Sequence, residues 1–459
     1  MSSFRKKHLL PAVAVMGIAS FVLTGCVDGE ATTTDDAQGG TSENSALYQA
    51  ALDKATEIVG GEEIGGTVTL MGTWGGEERE RFLSTLAPFE EATGVTIDFT
   101  GTEDYESIQQ SSIAGGTPID VVAAGNLGTV LEYAGEEAVD LNTLVGEDTL
   151  SESYAQGFLD STTVDGGNYG IWTMVDNYMI WYNPNNYDGP TGDDVTWDQL
   201  SDYTTELSDS GTAPWCMGLS AGASTGWPGA YFLMNLLLKQ SGPEFMTALS
   251  NGEASWDSPE VRSAFALFEE VVASEETVLG GPSGVITTDP GAASAGMYSD
   301  PQQCSLEHWG TFTASIILAS DPTLEAGTDL DFMKMPTIDP AYASSQGYGG
   351  TVMTAFSDRP EVAAFMKYEA SVEAASLVAA TGNWTGANQN ISADSYPNEI
   401  LGRVSSDLLG ASDLVPFPLA LTPSSVTSAI YASVAEFVQD PSTLDASLTT
   451  IDAAVAATN

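Results

Sequence analysis

Apolar and polar positions between Thr67 and Tyr133 follow two alternating periods. Thr67 to Met71 is a short β-rich run, and Glu77 to Ala92 carries Phe82, Leu86 and Phe89 at helical spacing until Gly94 ends it. Val95, Ile97 and Phe99 then alternate as a second strand. Tyr105, Ile108 and Ser112 mark a second helix, and Ile119 to Ala123 a third strand before Leu127 to Tyr133. This βαβαβ order predicts a parallel sheet. Ligands of open α/β sheets lie beyond the carboxyl ends of the strands. Those ends hold Trp74 and Glu77 in one loop, Glu103 and Asp104 in the next, and Asn126 in the third.

An indole, three carboxylates and an amide at one sheet edge suit a carbohydrate. Sugar hydroxyls donate to carboxylates and amides, while the C–H faces lie on aromatic rings. The competing reading buries Trp74 in the core and leaves the acids as solvated caps.

Further along, Tyr169 to Pro184 (YGIWTMVDNYMIWYNP) crowds five aromatic residues around Asp176 and Asn177. It is expected to cross between two lobes, with Asp176, Asn177 and Tyr178 turned to ligand and Trp181 and Tyr182 in the core. Pro228 starts a helix that presents Trp227, a further cleft candidate, while Trp256 is expected to staple the helix carrying Val261, Phe265 and Phe268. Glu361 to Ala380 reads as one long helix, with Pro360 before it and Gly382 after it. The glycines around Gly349 allow close backbone approach to a ligand, or form a tight turn. Val426, Ile430, Val434 and Phe437 predict terminal helices packed on the second lobe.

Length changes this picture first: 459 residues exceed what one hydrophobic core usually serves, so two lobes are the default. Twelve Lys and Arg against 64 Asp and Glu, formally -52, exclude nucleic acid and anionic headgroups as partners. Arg5, Lys6 and Lys7, the apolar run Leu9 to Leu23, and Leu23-Thr24-Gly25-Cys26 read as a secretory signal at residues 1–25. The ending resembles a bacterial lipobox, which implies a lipid on Cys26 and membrane attachment through that anchor alone. Its removal leaves nine cations against 64 acids. Residues 27–45 form a polar tether; Ala46 to Val59 can form a short helix, and compact structure is expected from about Gly66.

Cys216 and Cys304 then remain, one disulfide or two buried thiols. With His308 the single remaining histidine and no close cysteine pair, no metal site is expected. No phosphate-binding loop is present, and no cofactor is expected.

Two hydrolytic alternatives compete. Gly222-Ala223-Ser224-Thr225-Gly226 matches the nucleophile elbow of serine hydrolases, and acids such as Asp257 and Asp300 precede His308 in the required order. No upstream oxyanion segment accompanies it. Paired carboxylates could instead make a glycoside hydrolase, which needs a fixed separation and one raised pKa.

The lipobox, the tether, TWGGEERERF after the first strand, SIAGGTPIDVV before the third and YGIWTMVDNYMIWYNP together resemble an extracellular carbohydrate-binding lipoprotein of a bacterial ABC importer, of the family 1 type. CMGLSAGASTGWPGAYFL at Cys216 to Leu233, with PQQCSLEHW near Cys304, resembles its α-glucoside and maltose-binding branch. The resemblance implies a periplasmic-binding-protein-like fold: two α/β lobes, 66–172 plus 337–381 and 176–332 plus 385–459, behind a signal and tether at 1–25 and 26–65. Hinge crossovers would fall at 172–176, 333–336 and 382–384. It implies a monomer without enzymatic activity on the outer face of the membrane, handing its sugar to permease subunits. Trp384 follows the third crossover, where the family often places a cleft aromatic. Tyr298 flanks Cys304, so a bond from Cys216 to Cys304 would tie it to the Trp227 loop.

Overall fold

The computed structural model describes Ser42 and residues 45–102, 104–128 and 133–458. The signal segment, Cys26, Glu103 and most of the stretch Leu127 to Tyr133 lie outside the described residues.

Ten strands form one mixed sheet: β1 (Thr67–Gly72), β2 (Thr96–Gly101), β3 (Val121–Ala124), β4 (Ile171–Tyr182), β5 (Ala213–Trp215), β6 (Cys304–Gly310), β7 (Asp331–Met333), β8 (Ser345–Ala355), β9 (Thr385–Gly386) and β10 (Asp413–Pro416). Their order is β2-β1-β3-β8-β4-β6-β5; β7 and β9 pair with β4, and β10 pairs with β8. The first three strands are parallel, as the βαβαβ pattern predicts. Between them lie α2 (Gly76–Thr93), which Gly94 ends at φ 65°, and α3 (Tyr105–Ala114). An L-residue with a Cβ is disfavoured in that left-handed cap.

Two separate hydrophobic cores sit along this sheet, which defines a two-lobe α/β fold. One gathers Val68, Leu70, Phe82, Phe89, Trp172 and Val352; the other gathers Trp181, Phe232, Phe265, Leu306 and Val434. β4 serves both: Trp172 through Val175 belong to the first and Tyr178 through Tyr182 to the second. In the second lobe, α4 (Trp227–Ser250) begins with Pro228 in its first turn. Helix α5 (Pro259–Val272) is capped by Ser258, whose side chain accepts the Val261 N–H. Trp256 is fully buried beside it.

Three expectations need correction. Compact structure begins well before Gly66. Helix α1 (Ala46–Ile58) buries Ala51 and Ala55 in the first core, and the Tyr48 hydroxyl donates to Glu91 at 2.8 Å. The segment 361–380 is two helices, α6 (Pro360–Glu369) and α7 (Val372–Ala380), because Ser371 turns extended and its side chain caps Ala374. A Ser side chain that bonds backbone N–H groups competes with helix continuation. Finally, the chain after residue 385 does not stay in the second lobe. Leu408 and Ala420 enter the first core, and β10 runs parallel to β8. The Asn126 side-chain amide donates to the Thr422 carbonyl.

Candidate functional site

Asp176 and Asn177 occupy the turnover point of β4, where it leaves one core for the other. Opposite them on β8 are Gly349, paired with Asp176, and Gly350, paired with Val175. At Gly350 φ is 143°, and a Cβ there would lie 2.1 Å from the Met174 carbonyl oxygen. Only glycine lets the two backbones approach so closely. A Cβ on Gly349 would meet the Tyr231 hydroxyl at 3.1 Å, so the Tyr231 phenol lies over this glycine and beside Asp176.

Tyr231 stacks on Tyr178 with centroids 4.0 Å apart and planes 10° from parallel. One turn back on the same helix, Trp227 meets Tyr231 edge-on at 6.0 Å and also borders Trp309 (5.7 Å) and Phe312 (6.1 Å). Five aromatic rings thus pack against one another on the second-lobe side. From the first lobe, Glu78 in the opening turn of α2 adds a carboxylate near Asp176.

Several polar atoms here are buried without a partner: Asp176 Oδ1, Asn177 Oδ1, Trp309 Nε1 and Thr313 Oγ1. Such atoms are uncommon in folded proteins, since an unmet hydrogen bond costs about 1–3 kcal/mol. Two of them lie in the middle of β4 and two in the 309–313 stretch that begins on the neighbouring β6, a grouping that a site built for hydrogen-bonding ligand would show. Burial, with the Glu78 charge second, raises the Asp176 carboxyl to about 7. Burial likewise raises Tyr231 to about 12, with a smaller contribution from Asp176.

The residues singled out by sequence fall into distinct environments. Asp176, Tyr178, Trp227 and Gly349 come together around Tyr231, while Asn177 lies between the first two on β4, with its backbone N–H donating to the Thr311 hydroxyl. Glu77 and Asp104 are exposed, at the start of α2 and before α3. Trp74 is only 4% exposed and packs on Phe82 at 4.1 Å, with Phe99 and Trp384 each at 6.2 Å. Its indole therefore stacks on the protein's own rings, and Trp384, also buried, closes the same cluster. Asn126 is buried and committed on both sides, donating to Thr422 and accepting the Gly128 N–H at 2.9 Å. The Tyr298 hydroxyl donates to the Asp329 carbonyl at 3.3 Å. Cys216 and Cys304 are joined as a disulfide.

Tyr231, Phe312 and Glu78 escaped the sequence reading. Tyr231 had a usable signal, since it lies four residues after Trp227 and shares its helix face. The other two lie in the same stretches as Trp309 and Glu77 but carry no pattern of their own.

The elements of a serine hydrolase are not assembled. Ser224 is exposed on a short turn, whereas His308 is buried against Phe232 (4.1 Å) and held to Asn235 at 2.9 Å. Burial depresses its imidazole to about 3, leaving it neutral and inaccessible. Among the described residues no cluster of His, Cys, Asp and Glu is arranged to hold a metal ion, and no helix is long and apolar enough to cross a membrane.

A two-lobe α/β fold with a polar, aromatic-walled site on the strand shared by both lobes is the architecture of a solute-binding protein. The chain belongs to the bacterial extracellular solute-binding protein family, whose model matches residues 75–376. The osmoprotective compounds-binding protein GgtB of Synechocystis is 28% identical over 78% of this chain and 86% of its own. The alpha-glucosides-binding periplasmic protein AglE of Rhizobium meliloti is 28% identical over 88% and 90%. Among solved structures, the solute receptor AcbH, described as exclusive for β-D-galactopyranose, superposes with a TM-score of 0.69. It is 17% identical and covers 85% of this chain and 99% of its own.

Proposed function

We propose that the protein captures a mono- or oligosaccharide, most simply an α-glucoside, outside the cytoplasmic membrane and delivers it to the permease of an ABC importer. The observation that carries this reading is the set of bare hydrogen-bonding atoms beside the Tyr178, Tyr231 and Trp227 rings. Hydroxyls need the former and pyranose C–H faces the latter. The AglE name, and the sugar named for AcbH, support the same class of ligand.

In this reading the lobes are 66–172 plus 337–381, extended by α1, and 176–332 plus 385–459, with 408–422 reaching back to the first. Closure follows from differential contact, since a ligand that touches both lobes stabilises the closed form and the permease reads that shape. Asp176, Asn177, Tyr178, Trp227 and Gly349 form the centre of the site. Glu77 and Asp104 belong to its first-lobe rim, and Trp74, Asn126, Tyr298 and Trp384 support its walls. Cys26 would carry the lipid, holding a monomer at the membrane with no cofactor.

Thermal-shift screening against mono-, di- and oligosaccharides tests the proposal. Maltooligosaccharides should raise the melting temperature without being cleaved. A response to peptides or polyamines and to no sugar would end this reading, and product formation on long incubation would reinstate a glycosidase.

A further inference from the structure

A second cavity opens at the carboxyl end of β4, away from Asp176. Tyr182 lies six residues further along the strand, about 20 Å at the rise of extended backbone. It lines a groove of about 600 Å³ between β7 and helix α8 (Glu399–Leu409), a volume that suits a small ligand. On the β7 wall, Asp331 is the register partner of Tyr182, and Phe332 follows it. On the α8 wall, Glu399, Arg403 and Asp407 stand at four-residue spacing along one face.

The groove already holds cations of the protein's own. The Arg403 guanidinium donates to Asp331 and lies over the Phe332 ring, 5.0 Å from its centroid. The Phe332 N–H also donates to Asp331, at 2.8 Å; both bonds fall on Oδ1, so Oδ2 is open among the described residues. Lys334 bridges Asp193 at 3.1 Å and Asp407 at 3.4 Å. Asp394 and Glu399, exposed at the rim, have no cation partner among the described residues. Five carboxylates thus face two cations, an excess of three negative charges.

Tyr182 is the second observation. It is 7% exposed, yet among the described residues its hydroxyl makes no hydrogen bond. Polar groups buried to this degree are normally paired. Burial, with the Asp331 charge second, raises this phenol to about 12, so at neutral pH it keeps its proton and its oxygen is free to accept.

We propose that this groove is a second binding site, separate from the cleft between the lobes, for a linear organic polycation of the diamine or triamine class. Its ammonium groups pair with Asp394, Glu399 and the open Asp331 oxygen, and the Tyr182 hydroxyl accepts one N–H. A sugar would leave the excess charge uncompensated. A metal ion needs its ligands gathered at one point, and among the described residues no acidic cluster is so arranged. Carboxylates spread along a groove call for charges spaced along a chain. The site stands whether or not the cleft takes a sugar.

The test is titration calorimetry of spermidine into the protein at pH 7 and fixed ionic strength, because diffuse attraction to an acidic surface is screened by salt. Wild-type protein should bind one spermidine in a saturable step that magnesium chloride does not reproduce. Asp394→Asn/Glu399→Gln should weaken binding about tenfold, and Tyr182→Phe by about as much, since an ammonium loses its acceptor. Glu136→Gln/Glu137→Gln removes the same charge from an exposed stretch elsewhere and should leave the affinity unchanged. Circular dichroism checks that each variant folds, and if the double groove variant does not, Tyr182→Phe decides. No saturable step, a step that magnesium reproduces, or an equal loss in the Glu136/Glu137 variant means diffuse attraction and overturns the proposal. Full affinity in the groove variants places spermidine elsewhere, the cleft included, and overturns it as well.

Discussion

Tyr178 and Tyr231 lie face to face with ring centroids 4.0 Å apart, so β4 and α4 meet through two phenols instead of through aliphatic packing. Tyr178 is 5% exposed and gives the inner wall, and Tyr231, partly buried, gives the outer one. The pair holds the second-lobe side of the site in one orientation before any ligand arrives, which lowers the entropy lost on binding.

Tyr231→Ala should therefore weaken sugar binding by about 2 kcal/mol, roughly thirtyfold in Kd, as truncation of a central aromatic contact does. Tyr231→Phe keeps the stack and loses only the hydroxyl, so a smaller loss is expected. Calorimetry on both variants separates the ring from its hydroxyl; equal losses would mean that the stack contributes nothing.

Trp74→Ala should behave differently, because its ring is packed on Phe82 and near Phe99 and Trp384. A large-to-small change at such a core position costs about 3–5 kcal/mol of stability. Chemical denaturation should show this loss, while the folded fraction binds sugar with an affinity close to the wild type. A collapse in affinity with stability preserved would return Trp74 to the ligand surface.

Reduction of Cys216–Cys304, which closes a loop spanning 88 positions, should destabilise the second lobe. The chain-entropy estimate for a loop of this size is about 4–5 kcal/mol. Melting in the presence and absence of a reductant, with the Cys216→Ser/Cys304→Ser double variant as control, measures it. A variant that melts with the reduced wild type supports the prediction, and one that melts with the oxidised wild type refutes it.

Glu369 offers a pH test away from the cleft. It is 6% exposed, and burial raises its carboxyl from 4.5 to about 8. The folded chain thus holds this proton where the unfolded chain has released it. Its contribution to stability is complete below pH 4.5, declines as pH rises through the window, and is lost above about 8. Glu369→Gln should gain on the wild type progressively in melting temperature from pH 5 to pH 8. A constant difference across that range would count against the assignment.

The acidic surface, the alternation that predicts β1 to β3, the Gly94 end of α2 and the Pro228 start of α4 were all legible from neighbouring residues. Each is decided by sterics and periodicity within a few positions. The Ser371 break was also local, yet the apolar run around it, Val362 to Ala380, conceals a side chain that bonds the backbone. The place of 408–422 was not legible at all. Leu408 and Ala420 look like ordinary helix residues until the first-lobe core receives them.

Aromatic side chains mark the line between the two kinds of information most clearly. By itself the sequence determined that Tyr169 to Pro184 would be an apolar strand broken by a polar pair, that two cores were needed, and that Trp74 and Trp227 would stand at sheet and helix ends. Only the tertiary structure decided that Phe82, Phe99 and Trp384 cover Trp74, while burial, with the Glu78 charge second, raises the Asp176 carboxyl to about 7. Ring exposure and carboxyl acidity depend on atoms brought from other strands and helices, and no local period encodes which of them arrive.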